Sequence, residues 1–528
     1  MPAWLDNAIF YEIYPQSFQD TNADGIGDLR GIINRLDYIR DLGCNAIWLN
    51  PCFDSPFTDA GYDVADYKKV APRYGTNEDL KELFREAHSR GLRVILDLVP
   101  GHTSVQHPWF LESMKSQPNE FSNRYVWNDD IWDTFEGVQN ITGCIRGISD
   151  RNGCCAVNFF STQPALNYGF VNPSKSWQCA PDSKDALATR EAIKDVMRFW
   201  LQLGCDGFRV DMAGSLVKND GDGKETIKLW QDFRRFLDGE FPDAAIISEW
   251  GDPKKSLAGG FHMDFLLHFG PSHYLDLFRC EAPYFSRKKN GSITLFAEAY
   301  WKNYQRTNGK GLICIPSGNH DMPRISHYLD IEEEKLVFVF LLTMPGAPFL
   351  YYGDEIGMRY LEGLTSVEGG FERTGARSPM QWDHTANAGF SSASPEQLYI
   401  PIDSSPDRPT VENQSILPGS LYHEIKKLIR LRLENEPLQS NAAFRFLNAQ
   451  DHQPLVYLRT GKTGSALVAI NPADSSASCQ IEETGFHKVL YSYHGEAVLE
   501  NGRLTSLLAA QLFYIKAFDL SHMLNEWS

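Results

Sequence analysis

Several charged residues stand at the ends of segments that otherwise read as apolar strands. Asp97 lies near the end of Leu92–Val99, with His102 just beyond it. Arg209 and Asp211 close Asp206–Asp211, Glu249 closes Ala245–Glu249, and Asn319, His320 and Asp321 follow Leu312–Pro316. In a parallel barrel, chemistry gathers at the C-terminal strand ends, so Asp211, Glu249 and Asp321 would converge on one rim. Two carboxyl groups facing across a sugar suit cleavage of a glycosidic bond. One attacks the anomeric carbon and forms a covalent glycosyl-enzyme. The other gives its proton to the leaving oxygen and then activates water. Structural ion pairing at strand ends is the competing reading. It explains one such carboxylate more easily than three of them with Arg209 and two histidines.

The elements needed to hold these residues are legible. Eight short apolar runs read as strands: Ile9–Tyr14, Asn45–Asn50, Leu92–Val99, Asp206–Asp211, Ala245–Glu249, His262–Leu266, Leu312–Pro316 and Pro348–Tyr352. Between them lie helical patterns such as Leu29–Leu42, Asn77–Ser89, Lys184–Leu203 and Gly223–Leu237. Strand–helix alternation predicts a parallel sheet with helical crossovers, and eight units predict an α/β fold closed as a (β/α)8 TIM barrel. The long stretch after the third strand is rich in Asn, Gly, Ser, Asp and aromatics and predicts a small inserted domain. After the helix Leu421–Leu433, the runs Leu455–Arg459, Ala466–Asn471, His487–Tyr493 and Gln511–Ala517 follow without helices and predict a C-terminal antiparallel β-sandwich. The expected division is residues 1–103 and 177–436 for the barrel, 104–176 for the inserted domain and 437–528 for the sandwich.

Seven segments carry a resemblance. They are Gly61-Tyr-Asp-Val-Ala-Asp-Tyr67, Asp97-Leu-Val-Pro-Gly-His102, Gly207-Phe-Arg-Val-Asp211, Ile247-Ser-Glu-Trp250, Ser317-Gly-Asn-His-Asp321, Tyr351-Tyr-Gly-Asp-Glu-Ile-Gly-Met358 and Arg377-Ser-Pro-Met-Gln-Trp-Asp383. In this order the chain resembles the α-amylase superfamily, glycoside hydrolase family 13, in its oligosaccharide-acting, oligo-1,6-glucosidase-like branch. The resemblance implies a retaining, exo-acting α-glucosidase on short α-glucoside oligosaccharides. Asp211 matches the nucleophile, Glu249 the general acid/base and Asp321 the third carboxylate that holds sugar hydroxyls. Arg209 matches the cation that keeps Asp211 ionised, His102 and His320 match histidines that bind the first sugar, and Tyr62 matches an aromatic platform under it. Asp63 and Arg377 match a pair that closes the non-reducing end. A transglucosylase or a sugar isomerase of the sucrose or trehalose type would use the same residues. A non-catalytic sugar-binding or transporter-associated relative would have lost the carboxylates.

Four departures stand out. Gly101 occupies a position where the family carries Asn. Met212-Ala-Gly-Ser215 replaces the Lys-His pair that long-chain amylases place after the nucleophile. Met212 is itself neither of the small residues that accompany α-1,4 or α-1,6 preference. Ala165, in Gln163-Pro-Ala-Leu-Asn167, stands where Asp is usual. Trp109 reads either as a channel residue or as part of the inserted domain's packing.

Near the N-terminus, Asp20, Asn22, Asp24 and Asp28 alternate as oxygen donors, with the Ile26 carbonyl placed to join them and Gly25 at the tight turn. Oxygen-only ligands predict a hard ion, Ca2+ or Mg2+, in a structural role. Position 12 of the loop is Gly31, so the bidentate Glu of an EF-hand is missing.

Composition bounds the rest. The 528 residues are 42% hydrophobic and 22% charged, which excludes wholesale disorder. A net charge of −18 argues against nucleic acid or an anionic membrane as partner. No apolar run is long enough to span a bilayer. The start lacks a basic stretch followed by an apolar one. The ten cysteines read as free thiols; the denser group Cys144, Cys154, Cys155 and Cys179 is open to a metal cluster or a disulfide pair as well, though its spacing fits no zinc pattern, and a cytoplasmic setting is expected, with the chain a monomer or a small homo-oligomer.

Overall fold

The structure is a computed structural model that describes residues 1–267, 272–288, 291–486, 488–495 and 497–516. Eight parallel strands form its main sheet: β1 (Phe10–Ile13), β2 (Ala46–Leu49), β3 (Arg93–Leu98), β4 (Gly207–Val210), β5 (Ala245–Ser248), β6 (Met263–Phe265), β7 (Leu312–Cys314) and β8 (Phe349–Tyr351). Each falls inside one of the eight expected runs. They neighbour one another in chain order, and β8 returns to β1 with Phe349 opposite Phe10. The seam between β7 and β8 closes through a parallel bridge, Pro316 to Phe349, and a hydrogen bond from the Ser317 N–H to the Phe349 carbonyl.

Side chains fill the barrel rather than leaving a pore. Rings from non-adjacent strands meet inside it: Trp48 lies 5.6 Å from Phe265, and Phe265 lies 4.7 Å from Phe349. Close strand contact has a backbone requirement at Gly207. Its φ is +149°, and a Cβ there would meet the Ala245 carbonyl oxygen at 2.1 Å. Only glycine lets β4 start this close to β5.

The crossover helices follow their sequence signals. Asn77–Ser89 opens on a Thr76 capping box and buries Leu80, Leu83, Phe84 and Ala87. Lys184–Leu203 opens on Ser183 and ends on Gly204 in the left-handed region. The expected helix Leu29–Leu42 is two helices, Leu29–Asn34 and Leu36–Leu42. The break is at Arg35, whose Nε donates to Gln19 and whose guanidinium lies 4.0 Å over the Trp382 ring. Tertiary partners at that residue outweigh the continuous helical pattern.

After β3 the chain forms a short hairpin, Gly143–Ile145 with Cys155–Val157, over an apolar cluster of Val126, Phe135, Cys154, Ala156, Ala165 and Phe170. Ala165 is fully buried there, so the residue in place of the usual Asp packs as core. Trp109 packs on Tyr67, His107 and Arg124 rather than in a channel.

The C-terminal region has a five-stranded antiparallel sheet, in the order Ala443–Asn448, Leu455–Thr460, Gly464–Ile470, Ala510–Lys516, Lys488–Tyr493. A three-stranded sheet joins Ala477–Gln480, Arg503–Leu507 and Val498–Glu500. His487 and Ala517, at the edges of two expected strands, lie outside the described residues. A buried arginine fastens this region to the barrel: Arg459 donates to the Thr343 carbonyl. Among the described residues, no helix is long and apolar enough to cross a membrane.

Candidate active site

The C-terminal ends of the barrel strands, the segment after β3 and the loop after β8 enclose a cavity of about 1010 Å³. Asp211, Glu249 and Asp321 all line it, together with Tyr62, His102, Met212 and Arg373. Barrel geometry delivers the first two. The Asp211 N–H bonds the Leu98 carbonyl, and the Glu249 N–H bonds the Val210 carbonyl, so each residue is held one position past the end of its strand.

Arg209 sits under both. Its Nη1 donates to Asp97 at 2.7 Å and to Asp211 at 3.1 Å, while its Nη2 pairs with Glu249 at 2.7 Å. One buried guanidinium thus bridges three carboxyl groups, and the Trp48 indole donates to Asp97 from the other side. The Met212 N–H donates to Glu249 Oε2 at 3.1 Å. Met212 holds a left-handed φ of +44°, a conformation that non-glycine residues rarely adopt and that strained sites carry.

Electrostatics follow from burial. Desolvation and the neighbouring Glu249 charge push Asp211 well above the usual carboxylate range, and Arg209 pulls it back. Asp321 stays low, because His320, Arg373 and Arg377 face it and outweigh its burial.

Two histidines were expected to bind sugar. His102 lines the cavity, but both its nitrogens are used inside the protein: Nε2 donates to the Tyr62 carbonyl and Nδ1 accepts from Asn158. Gly101 makes this possible, since a Cβ there would meet Asn158 Nδ2 at 2.7 Å. The glycine therefore admits Asn158 as the partner of His102. Burial lowers the His102 pKa to about 4, so the ring is neutral. His320 stacks on Tyr62 with ring centroids 5.3 Å apart and reaches Asp321 Oδ2 at 3.4 Å through Nε2.

The expected pair of Asp63 and Arg377 is not assembled. Asp63 is fully buried and accepts from Ser55, Thr58 and Asp59 within its own loop. Arg377 is also buried, donating to the His320 carbonyl and to Asp321 Oδ1 at 3.0 Å. Asp59 and Arg373 line the cavity instead, 3.5 Å apart, and Arg373 also binds Asp321 Oδ1 at 2.7 Å. The carboxylate four residues earlier faces the cavity because Ala60 and Gly61 take left-handed φ values between the two acids. Burial raises Asp59 to about 6. Neither Asp59 nor Arg373 stood out in the sequence; Arg373, four residues before Arg377, was the available signal.

The outer wall carries four large rings beside Asn140, Ser215 and Glu372. Phe159 and Phe160 from the inserted segment, Phe371 from the loop after β8 and Trp250 after β5 line it, with Phe160 and Phe371 6.4 Å apart across the mouth. Ser215 stands on the wall where the Lys-His pair is absent.

The loop Asp20–Asp28 lies away from this cavity. Asp20 accepts from the N–H groups of Asn22, Ala23 and Gly25 and from the Ser391 hydroxyl. Asp28 accepts from Thr21 and the Gly31 N–H, and Asp24 from the Ile26 N–H. Among the described residues, no group of three or more His, Cys, Asp or Glu is gathered as a metal site, and no Lys or Arg pairs with these three aspartates.

Comparison with known proteins agrees with the geometry. The alpha-amylase catalytic domain family matches residues 12–151 and 181–441. Trehalose synthase/amylase of Mycobacterium tuberculosis is 33% identical over 520 residues, covering 89% of this chain and 82% of that protein. Oligo-1,6-glucosidase of Parageobacillus thermoglucosidasius is 31% identical, covering 82% and 84%. Among solved structures, a mutant isomaltulose synthase of Erwinia rhapontici NX5 with sucrose superposes with a TM-score of 0.81 at 25% identity, covering 97% of this chain and 99% of that one.

Proposed function

The chain belongs to the alpha-amylase family of glycoside hydrolases, and from that premise we propose an exo-acting α-glucosidase that cleaves short oligosaccharides with retention. The observation that carries this reading is the Arg209 guanidinium shared by Asp211 and Glu249. One guanidinium holds both carboxyls at the same wall of the cavity. Retaining enzymes keep theirs about 5–5.5 Å apart, while inverting ones leave about 6.5–9.5 Å for a water, and this reading requires the shorter separation.

In this account Asp211 attacks the anomeric carbon of the terminal glucose and its bond to the leaving oxygen breaks. Glu249 delivers its proton to that oxygen, then takes one from the incoming water. The water oxygen bonds to the anomeric carbon and frees Asp211. Arg209 orients both groups. Asp321 binds hydroxyls of the same glucose, and Tyr62 offers a ring face to its apolar C–H side. Asp59 with Arg373 takes the place expected of Asp63 with Arg377 and closes the non-reducing end.

A second reading rests on the rings at the mouth. Phe159, Phe160, Phe371 and Trp250 present apolar faces on which an acceptor sugar can stack beside the intermediate. That environment favours a sugar hydroxyl over water as acceptor, which yields glucosyl transfer or isomerisation. The test is product analysis by NMR on maltose, isomaltose, maltotriose, sucrose, trehalose and soluble starch. Hydrolysis predicts α-glucose as the first product from the short substrates only. Transfer predicts new disaccharides with little free glucose. Rapid depolymerisation of starch would refute the closed end.

We also propose that Asp20, Asn22, Asp24, the Ile26 carbonyl and Asp28 hold a structural Ca2+. The donors are all oxygen, and their three carboxylates have no cationic partner among the described residues. The ion would neutralise that charge and brace the turn ahead of the first helix. Chelation is then expected to lower the melting temperature by several degrees, with recovery on adding Ca2+. An identical melting curve with and without chelator, in protein shown by elemental analysis to be metal-free, would remove the assignment.

A further inference from the structure

Glu12, in β1, is fully buried in the barrel and takes no part in the scheme above. A carboxyl in such a place is costly unless it is used. Its Oε1 lies 3.1 Å from His320 Nδ1, and its Oε2 has no partner. Asn50 Nδ2 hydrogen-bonds the same carboxyl and lies 3.2 Å from the same ring nitrogen, to which it can only donate, so Glu12 and Asn50 compete for Nδ1. The His320 ring cannot turn away. Tyr62 stacks on it with an interplanar angle of 15°, and Tyr14 stacks at 1°.

With the ring fixed, the remaining freedom is where its proton sits. Burial pushes the His320 pKa down to about 3, so the ring is neutral and carries one proton. Asp321 Oδ1 already accepts from Arg373 and Arg377, which leaves Oδ2 as its open oxygen. His320 Nε2 faces that oxygen at 3.4 Å and has no other partner. A proton on Nε2 would be given to Oδ2 and would use it up. A proton on Nδ1 would be given to Glu12, and Oδ2 would stay free to accept a hydroxyl from the cavity side.

We propose that Glu12 is a positioning residue: it holds the His320 proton on Nδ1 and so leaves Asp321 Oδ2, on the cavity wall, free to accept a sugar hydroxyl. The proposal rests on the α-glucoside reading for the identity of the ligand, but its proton assignment does not.

The test compares Glu12→Gln and Glu12→Met in protein labelled with 15N-histidine, the His320 signals being identified by their loss in His320→Gln. Wild type is expected to show a protonated Nδ1 and a bare Nε2. Gln keeps an acceptor at Oε1 and is expected to preserve that tautomer. Met removes the acceptor and is expected to move the proton to Nε2. On an aryl α-glucoside, kcat/KM is expected to fall about 100-fold in Glu12→Met and less than about 5-fold in Glu12→Gln, as for a lost positioning contact. Melting curves confirm that both variants fold. Protonated Nε2 in wild type, a Met variant with unchanged tautomer and rate, or a Gln variant as impaired as Met would each overturn the proposal. The nitrogen shifts need no turnover, so a chain inactive on every α-glucoside would sink the functional reading and leave the tautomer to decide this one.

Discussion

Asp211→Asn is expected to lower kcat by about four orders of magnitude or more on every α-glucoside, because the covalent intermediate loses its nucleophile. The fold should survive. Asn has the same shape, and Arg209 keeps Asp97 and Glu249 as partners at 2.7 Å each. Stability should even rise slightly. Asp211 is buried beside the like charge of Glu249, which pushes its pKa up, and a neutral amide removes that repulsion. Turnover and a thermal melt on the same preparation check both halves. Wild-type turnover would end the nucleophile assignment; lost turnover with a collapsed melt would show a structural role instead.

Glu249→Gln is expected to act differently on different leaving groups. On maltose or isomaltose, whose leaving oxygen needs a proton, kcat should fall about 10²–10⁴-fold. On an aryl glucoside the first bond breaks without help, so the glucosyl-enzyme should accumulate and azide should speed its release as a glucosyl azide. The pH profile carries a further sign. Burial and the neighbouring Glu249 charge raise Asp211 above the ordinary carboxylate range. The nucleophile must be ionised, so activity is expected to fall on the acid side, starting at a higher pH than for an ordinary carboxylate. Glu249→Gln removes the repelling charge, so that acid limb should move to lower pH. Equal losses on both substrates, with no azide effect, would contradict the acid/base role.

Much of this was legible in the sequence for a physical reason. The barrel strands are short apolar runs buried on both faces, and a charge at the end of such a run has to be used. Arg209, Asp211 and Glu249 were visible on that ground alone. Asp59 and Asp63 show the limit. Both are acids in one short loop, and which of them reaches the cavity depends on the left-handed turn at Ala60 and Gly61 rather than on residue type. Arg373 was obscured in the same way, since two arginines four residues apart compete for Asp321 and only the fold gives one of them to the cavity wall.

Glu12 was present as a charge inside the run Ile9–Tyr14, yet strand periodicity does not say whom a buried carboxyl meets. Its partner is more than three hundred residues away in sequence, across the closing seam of the barrel. In the C-terminal region, Leu455–Thr460, buried up to Arg459, and Gly464–Ile470, buried throughout, read easily. Ala477–Gln480 and Val498–Glu500 are short and mostly exposed, so they left little apolar pattern to find.

The central claim is a covalent glucosyl bond on Asp211. Its most direct test is trapping. The Glu249→Gln variant is incubated with a fluorinated α-glucosyl fluoride, whose good leaving group forms the intermediate and whose second fluorine slows its hydrolysis. The digested protein is then mapped by mass spectrometry. The account predicts one adduct, on the peptide that carries Asp211, and no adduct after Asp211→Asn is added. A label on another residue, or release of β-glucose as the first product with no adduct at all, would contradict it.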